Sequence, residues 1–284
     1  MEIQALKTFL AVVEEGGILS AASRLNTVQS NVTTRIKRLE EEVGTQLFYR
    51  QGRKLTLSPS GKVLLGYTRE ILQLTSQAGM ALRQVGEQVG EFRVGSMESF
   101  AALRLPPTLK GLREVHSGLR LHIETNTSTD LIKRVLEHKL DCAFVGGPVD
   151  HPDLLATHVL TEELVLVYSK DTQYQNIPLI IFRDGCSYRQ RALNWRQESG
   201  HNCRGIMEFG TLDGMLGCVA MGLGCTLMPR AVVTNSRYHN DFHIETIEPH
   251  LAEIPTLLIR HKNAASLAAV DTLIKAASEP LLMH

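Results

Sequence analysis

The sequence predicts an α/β protein in two parts, with a mainly helical N-terminal region followed by a larger region of alternating strands and helices. The chain has 284 residues, 43% of them apolar, which is enough for more than one buried core. Apart from one short basic hairpin, the first strand-like apolar segment is Phe92-Arg93-Val94-Gly95. Because strand-like and helical segments alternate from there onward, a domain boundary is expected near residue 90.

The overall composition argues against several classes of protein. Thirty Lys and Arg residues balance thirty Asp and Glu residues, unlike a protein that coats nucleic acid or an anionic membrane over its whole surface. The longest uncharged apolar stretch, between Asp213 and Arg230, is too short and too rich in glycine to span a bilayer. The first residues have neither the basic start nor the apolar core of a signal peptide. A cytoplasmic protein without a membrane partner is therefore expected.

The cysteines and histidines indicate neither a disulfide framework nor a metal site. There are five cysteines without a Cys-x-x-Cys pair, and the eleven histidines show no ligand spacing. Buried, reduced thiols are the ordinary interpretation. No metal and no other cofactor is predicted. The cysteines are Cys142, Cys186, Cys203, Cys218 and Cys225.

The N-terminal region is locally basic although the whole chain is neutral. Between Arg24 and Lys62, eight basic residues stand against three acidic ones, a net charge of +5. Apolar residues at helical spacing predict a first helix around Leu6 to Val13, which ends at Gly16-Gly17. A second short helix is predicted from about Leu19 to Asn26. The neutral total therefore conceals a polarised molecule.

A third helix follows the break at Asn26-Thr27 and has one apolar and one polar face. The apolar stripe consists of Val32, Ile36, Leu39 and Val43. The opposite face and its flanks carry amide, hydroxyl and basic side chains. Two short helices with a tight break, the second presenting such side chains, predict a helix-turn-helix whose recognition helix enters the major groove of DNA. A small helical bundle with a solvated polar face is the alternative.

The segment from Leu47 to Leu57 favours the DNA-binding interpretation. It consists of two short strand-like runs around a basic, glycine-containing turn, as in a wing beside a recognition helix. Gln29 or Asn31 suits adenine and Arg35 suits guanine, whereas basic residues of the wing would contact phosphate. The candidate DNA-contacting residues are Thr27, Gln29, Ser30, Asn31, Thr33, Thr34, Arg35, Lys37, Arg38, Arg50, Arg53 and Lys54.

Together these residues resemble the N-terminal winged helix-turn-helix of LysR-type transcriptional regulators. The matching positions include Leu6, Phe9, Ala21-Ala22, Leu25, Gln29, Val32, Ile36, Leu39-Glu40, Gly44, Leu47-Phe48, Arg50, Leu57 and Gly61. The sequence departs from the residues usual in the family at Val28, Ser30, Asn31, Thr33 and Thr34, which affects the expected operator rather than DNA binding. The resemblance implies binding to double-stranded DNA at operators with two-fold symmetry.

A long helix is predicted from Pro59 to about Gln88. Its apolar residues step alternately by three and four, which is a heptad seam suited to close approach of a partner helix. An ordinary amphipathic helix packed on its own domain is the alternative. The resemblance favours a dimerising linker and implies a homodimer or homotetramer. The seam consists of Leu64, Tyr67, Ile71, Leu74, Ala78, Ala81 and Val85, and Gly86 and Gly90 would end the helix.

The region from Glu91 onward predicts an α/β domain with mainly parallel strands. The predicted strands are 92–95, 119–125, 142–146, 164–168, 179–182, 206–209, 225–228 and 257–260. Three strand-to-helix turns are polar, namely 96–99, 126–129 and 185–187. Such turns place hydroxyl groups and free backbone N–H groups where an anion is stabilised. Ordinary N-capping of the helices is the alternative for each turn taken alone.

This region resembles the effector domain of the same family, in which two lobes like those of periplasmic binding proteins enclose a cleft. The resemblance implies a first lobe of about 91–162 and 255–284 and a second lobe of about 163–254. It places effector-binding residues at Ser96, Ser99, Thr127, Thr129, Cys186, Ser187, Gly210 and Thr211. Glu98 is a further candidate. If its carboxylate faces the cleft, the effector carries a cation, as an amino acid or amine does; if it faces outward, it stabilises its helix start.

We therefore predict a regulator with a DNA-binding domain (1–58), a linker helix (59–90) and an effector-binding domain (91–284). Its predicted partners are DNA, a small and anionic effector and further copies of itself, with RNA polymerase as an additional candidate. A thiol-based redox regulator that uses Cys186 or Cys203 is an alternative. An enzyme is not expected, because the chain lacks a Gly-x-Ser-x-Gly elbow, a P-loop and a Gly-x-Gly-x-x-Gly turn after a strand.

Overall fold

The computed structural model describes residues 1–51, 54–84, 90–200, 205–264 and 268–279. The chain divides into two compact units, Met1–Leu82 and Arg83–His284. Each unit is described by itself, and each contains its own cluster of buried apolar side chains. Among the described residues, no helix is both long and apolar enough to cross a membrane.

The N-terminal unit contains the three predicted helices and the predicted hairpin. Its elements are α1 (Ile3–Glu14), α2 (Ile18–Arg24), α3 (Gln29–Val43), β1 (Phe48–Gln51), β2 (Lys54–Leu57) and all but the last two residues of α4 (Pro59–Gln84). Strands β1 and β2 pair antiparallel, with Phe48 opposite Leu57. Helix α3 ends at Gly44, whose φ of 71° is the left-handed conformation that glycine adopts at little cost. The apolar stripe of α3 packs against Phe9 and Phe48 in the core.

The heptad seam of α4 divides between two environments. Leu64 and Ile71 pack against the core of the N-terminal unit, as in the alternative of an amphipathic helix packed on its own domain. Tyr67 and Leu74 are 60% and 52% exposed, and the neighbouring Val63 is 64% exposed. Ala81 and Val85, at the end of the seam, have no described side chains. Of the five seam residues with described side chains, two therefore contact the core, and Tyr67, Leu74 and Ala78 are exposed.

The second unit contains nine strands and eight helices among its described residues. Its first half comprises β3 (Gly90–Ser96), α5 (Glu98–Leu103), α6 (Leu105–Val115), β4 (Leu119–Thr125), α7 (Ser128–Leu136), β5 (Cys142–Gly146) and β6 (Leu154–Ser169). Its second half comprises β7 (Leu179–Phe182), α8 (Ser187–Glu198), β8 (Ile206–Phe209), α9 (Leu212–Ala220), β9 (Thr226–Pro229), α10 (Arg230–Thr234), β10 (Phe242–Thr246), α11 (Pro249–Ala252), β11 (Glu253–His261) and α12 (Ala268–Ser278).

The prediction of mainly parallel strands was wrong, because the strand order mixes both directions. Strands β3, β4 and β5 pair parallel, as do β7 and β8. Strand β6 pairs antiparallel with β9, β10 and β11, and β11 also pairs antiparallel with β5. The long strand β6 leaves the first half of the unit and β11 returns beside it, so the two run in opposite directions. Strand β10, which the sequence interpretation missed, covers the edge of β6.

We call the part built from β3–β5, α5–α7 and α12 lobe I, and the part built from β7–β10 and α8–α11 lobe II. Strands β6 and β11 connect the lobes, with Glu163 opposite Glu253 in the ladder. In lobe II, Val165 and Val167 of β6 pack toward α9 and α10. Leu166 and Tyr168, on the opposite face, pack toward α8. Because successive strand residues point to opposite faces, one strand supports two cores in this lobe.

Candidate functional site

The exposed face of α3 carries the polar side chains that the sequence placed there. Gln29, Ser30, Asn31, Thr34, Lys37 and Arg38 are exposed, and Thr27, Thr33 and Arg35 are half-buried. Asn31 Nδ2 donates to Thr27 Oγ1 at 3.1 Å, and Thr33 Oγ1 donates to the carbonyl oxygen of Gln29 at 3.0 Å. These bonds hold two side chains of the surface against the helix start. The remaining amide, hydroxyl and basic groups face solvent, where base edges and phosphates could be bound.

The basic side chains of α3 are not occupied by acidic neighbours. Arg35, Lys37 and Arg38 form no salt bridge with the described part of the chain. Arg24, at the end of α2, contrasts with them. It pairs with Glu14 and Glu15 at 2.7 and 3.1 Å, and the bond to Glu14 raises the pKa of its guanidinium. Arg24 thus joins α2 to α1, whereas the three cations of α3 remain available to an anionic partner.

Two side chains attach the hairpin to the helices around it. Glu40 Oε1 accepts hydrogen bonds from the backbone N–H groups of Leu47 and Phe48, which fixes the start of β1 against α3. Ser58 Oγ donates to the carbonyl of Gln46 at 2.6 Å and accepts from the N–H of Gly61 at 2.9 Å. Ser58 therefore binds the hairpin and caps the first turn of α4. The hairpin is therefore fixed to both α3 and α4.

The structure describes only the backbone of two of the three basic residues predicted for the wing. Arg50 and Lys54 stand in the strands, opposite Leu55 and Gln51 in the ladder. Their side chains lie outside the described part of the chain, and Arg53 lies outside the described residues altogether. Their assignment to phosphate contacts stays a prediction from the sequence.

A cavity of about 320 Å³ lies where the polar turns of lobe I meet those of lobe II. We call it the effector cavity, after the effector site that was predicted from the sequence. It is lined by Met97, Glu98, Ser99, Thr125, Asn126, Thr127, Ser128, Phe182, Arg183, Cys186, Ser187, Tyr188, Gly210 and Thr211. Seven of the nine residues predicted for the effector site are among these. The volume suits a small ligand, since ligand cavities begin at about 300 Å³.

Two predicted residues, Ser96 and Thr129, are not among the lining residues. Ser96 is fully buried at the end of β3, and its hydroxyl donates to the carbonyl of Met97 at 3.1 Å. The backbone N–H of Thr129 donates to the carbonyl of Gly185 at 3.2 Å, so this residue joins α7 of lobe I to the turn before α8. Both residues support the walls of the cavity in this arrangement of the lobes.

Hydrogen bonds cross from lobe I to lobe II along the cavity wall. Ser99 Oγ donates to the hydroxyl of Tyr188 at 3.0 Å, and both residues are buried. Arg183 Nη2 donates to Asn126 Oδ1 at 2.7 Å, and the hydroxyls of Ser128 and Ser187 lie 3.5 Å apart. The lobes are therefore closed upon each other. Burial, together with the charge of nearby Glu162, raises the pKa of Tyr188, so its hydroxyl stays protonated.

Gly185 is required by the close approach of the lobes. Its φ is 86°, and a Cβ there would lie 2.8 Å from Thr127 Oγ1 and 3.1 Å from Thr129 Cβ. Thr127 caps α7, because its hydroxyl accepts from the N–H of Asp130 at 3.4 Å and donates to the Asp130 carboxylate at 3.2 Å. The turn at 126–129 thus combines helix capping with the cavity wall.

Cys186 lines the cavity at the residue before α8, half-buried and without a side-chain capping bond. Burial raises the pKa of its thiol, and the N–H groups of Arg189 and Tyr188 oppose this only in part. Since the thiolate is the reactive form, burial lowers the reactivity of this cysteine. Cys203, the other residue of the redox alternative, lies outside the described residues. Among described residues, no cluster suited to a metal ion is found.

The sequence interpretation missed several lining residues, of which Arg183 and Tyr188 matter most. Arg183 directly follows β7, and a basic residue at the carboxyl end of a predicted strand was a usable signal. Tyr188 has the pattern of an ordinary core residue in α8, and only its contact with lobe I brings it into the cavity. Asn126 and Ser128 belong to a turn that the sequence had singled out, but Thr127 and Thr129 were chosen from it.

Comparison with known proteins gives matches over almost the whole chain. Residues 3–62 match the family model described as "Bacterial regulatory helix-turn-helix protein, lysR family". Residues 86–281 match the model described as "LysR substrate binding domain". The HTH-type transcriptional regulator GltR of Bacillus subtilis (strain 168) is 38% identical over 293 residues, which cover 100% of this chain and 96% of GltR. YofA of the same organism is 35% identical over 282 residues, covering 98% and 99% of the two chains.

Solved structures of similar proteins share the fold at lower identity. A full-length OxyR variant from Pseudomonas aeruginosa has a TM-score of 0.75 and 19% identity, with 98% of this chain and 94% of that chain covered. CbnR complexed with its target DNA has a TM-score of 0.68 and 20% identity, with coverage of 98% and 99%. ArgP from Mycobacterium tuberculosis has a TM-score of 0.73 and 19% identity, with coverage of 96% of both chains.

Proposed function

Because the chain belongs to the LysR family of bacterial transcriptional regulators, we propose that a small molecule in the effector cavity controls how its recognition helices bind operator DNA. The family assignment is carried by the two domain models and by the full-length relatives. The assignment of individual residues and of domain limits at 58/59 and 90/91 is our proposal. The same holds for the lobe boundaries at 162/163 and 254/255, where β6 and β11 pass between lobes.

The main support for the effector proposal is a single cavity that residues of both lobes line. Seven residues chosen from the sequence line it, and they come from four separate segments of the chain. A ligand that contacts both lobes binds the closed arrangement more tightly than an open one, in which half of its contacts are lost. Such unequal affinity is what allows a ligand to shift the population of two conformations. Glu98, Ser99, Thr127, Cys186, Ser187, Gly210 and Thr211 are the proposed contacts, with Ser96 and Thr129 in supporting positions.

For DNA, we propose that α3 reads base edges and that the wing contacts phosphate. The three cations of α3 without acidic partners supply the electrostatic attraction, and Gln29, Ser30 and Asn31 are exposed at the helix start. Helix N-terminal residues are those that reach base edges when a recognition helix lies in the major groove. Two-fold operators call for at least a homodimer, and the exposed stripe of Val63, Tyr67 and Leu74 on α4 suits a partner helix. A homotetramer and contact with RNA polymerase extend this proposal.

We propose that the protein acts in the cytoplasm and without catalysis. A thiol-based switch at Cys186 is less well supported than ligand binding, because burial of its thiol disfavours the reactive thiolate. The same cysteine suits a small, half-buried lining residue of the effector cavity.

The experiment that tests the proposal is selection of genomic DNA fragments by the purified full-length protein at about 150 mM salt, where nonspecific phosphate contacts are weakened. We expect discrete sites with two-fold symmetry. A parallel selection with Arg35→Ala is the matched control, because it removes one cation from the recognition surface. Retention of fragments without sequence preference would contradict the proposed function.

A further inference from the structure

We propose that the effector is a zwitterion of the amino-acid class, held with its ammonium group toward Glu98 and its carboxylate toward Arg183. This inference rests on the proposed function of the effector cavity and narrows its ligand to one chemical class. It begins with the charges of the cavity. Among the described residues that line it, Glu98 and Arg183 are the charged ones, and they have opposite signs.

Neither charge is neutralised by a residue that the structure describes. In the described part of the chain, Glu98 and Arg183 form no salt bridge with each other or with any other residue. Arg183 donates to the neutral amide of Asn126 instead. Of the other charged groups of this region, Glu162 faces Arg104 at 3.7 Å and Arg189 faces Glu208 at 2.6 Å, whereas the carboxylate of Asp130, which does not line the cavity, accepts from Thr127 Oγ1 at 3.2 Å. The two charges of the cavity wall therefore remain available to a ligand.

The two charges belong to different lobes, so they would orient a ligand that carries two opposite charges. Glu98 is the first residue of α5 in lobe I, whereas Arg183 follows β7 in lobe II. A carboxylate alone would satisfy Arg183 and leave Glu98 unpaired beside a second anion. An amine alone would do the reverse. A molecule with both groups pairs with both walls and connects the lobes, so its affinity depends on their closure.

The remaining lining groups limit the size and polarity of the ligand. A volume of about 320 Å³ accommodates a compact molecule. The Ser99 hydroxyl donates to Tyr188 and the Thr127 hydroxyl donates to Asp130. Both hydroxyls line the cavity wall while they are hydrogen-bonded within the protein. Phe182 adds an aromatic surface. Free α-amino acids combine the required pair of charges with this size.

The test measures ligand binding to the full-length protein by calorimetry. The probes are the common α-amino acids, each compared with the 2-oxo acid that lacks its ammonium group and the amine that lacks its carboxylate. We expect at least one amino acid to bind at least tenfold more tightly than both of its analogues. Equal affinity for the amino acid and its 2-oxo acid would overturn the role of Glu98, and with it the zwitterion.

Four charge-removing variants assign the contacts. Glu98→Gln should weaken amino-acid binding by about tenfold, or ~1.4 kcal/mol, and should not weaken binding of the 2-oxo acid. Arg183→Gln should weaken binding of the amino acid and the 2-oxo acid alike. Glu253→Gln and Arg120→Gln make the same charge changes at exposed residues that do not line the cavity, so they should change neither affinity.

The outcomes separate this inference from the proposed function. If no amino acid binds while genomic selection still yields symmetric sites, the proposal of a zwitterionic effector is wrong, whereas the proposal of a sequence-specific DNA-binding regulator is retained. If an uncharged or singly charged compound binds and Glu98→Gln does not affect it, the effector cavity stands with another class of ligand. Retention of DNA without sequence preference would instead contradict the proposed function itself.

Discussion

Ser99 Oγ donates a hydrogen bond of 3.0 Å to the hydroxyl of Tyr188, which joins α5 of lobe I to α8 of lobe II along the wall of the effector cavity. Both side chains are nearly excluded from solvent, with exposures of 4% and 3%. The Tyr188 hydroxyl also donates to the sulfur of Met97 at 3.7 Å. Because a buried hydroxyl without a partner is costly, this contact favours the closed arrangement of the lobes.

The Ser99–Tyr188 contact can be measured by a double-mutant cycle. Ser99→Ala and Tyr188→Phe should each lower the free energy of unfolding by about 1–3 kcal/mol, because each removes a hydrogen bond between two buried groups. The double variant should lose less than the sum, because it leaves neither partner of this bond behind. Urea unfolding of the full-length protein provides the values. Strictly additive losses would mean that the two hydroxyls do not interact.

DNA binding should separate a base-reading residue from a phosphate-contacting one. Arg35→Ala in α3 should reduce specific binding more than nonspecific binding, since it removes a contact to a base edge. Arg53→Ala, a residue of the predicted wing, should reduce both and lower the salt slope by about one unit. Titration of operator and random DNA at several salt concentrations checks both statements. Equal losses with equal slopes would contradict this division of roles.

Substitution of Thr127 tests a hydroxyl that caps α7 in the wall of the effector cavity. Thr127→Val removes the hydroxyl that caps α7, so it should cost about 1 kcal/mol of stability and blunt the effector response while leaving DNA affinity intact. Thr127→Ser keeps the hydroxyl and should behave like the unaltered protein. The response is measured as the change of operator affinity over a titration with the ligand found by calorimetry. An unchanged response in Thr127→Val would count against the effector cavity.

Two glycines of α4 predict opposite effects of the same substitution. A Cβ at Gly61 would lie 2.2 Å from the carbonyl oxygen of Leu47, so Gly61→Ala must displace the backbone beside the hairpin. A loss of about 1–3 kcal/mol is expected. A Cβ at Gly66 meets nothing within 4 Å, and Gly66→Ala should stabilise the helix by about 0.5–1 kcal/mol. Thermal unfolding compares the two variants, and a neutral Gly61→Ala would refute the steric argument.

The pH dependence of Cys186 tests the redox alternative. Burial raises the pKa of this thiol above its ordinary value of 9.0, so the thiolate is scarce at neutral pH and increases only as pH rises past that value. Alkylation of Cys186, followed by mass spectrometry, should therefore be slow at pH 7 and still accelerate above pH 9. Cys186→Ser should leave operator binding in peroxide unchanged. Rapid alkylation at pH 7 would favour the thiol-based switch.

Local periodicity explains what could be predicted for the N-terminal unit. The stripe of Val32, Ile36 and Leu39 requires only the helical repeat to define one buried face of α3, and thus the exposed face opposite. The heptad seam of α4 was a weaker guide. Periodicity identifies which residues share a face, but it does not distinguish a core of the same chain from a partner helix. Leu64 packs against the core of its own unit, whereas Leu74 is exposed.

By itself, the sequence determined the helices of the N-terminal unit, the alternation of strands and helices, and the polar turns that contribute Glu98, Thr127 and Ser187. Only the tertiary structure decided that β6 and β11 run antiparallel between the lobes and that Arg183 and Tyr188 enter the effector cavity, while Ser96 does not line it. The physical reason is the distance along the sequence over which each feature is encoded. A repeat of 3.6 or two residues is encoded within one segment, whereas the neighbours of a strand end depend on which distant segment packs beside it.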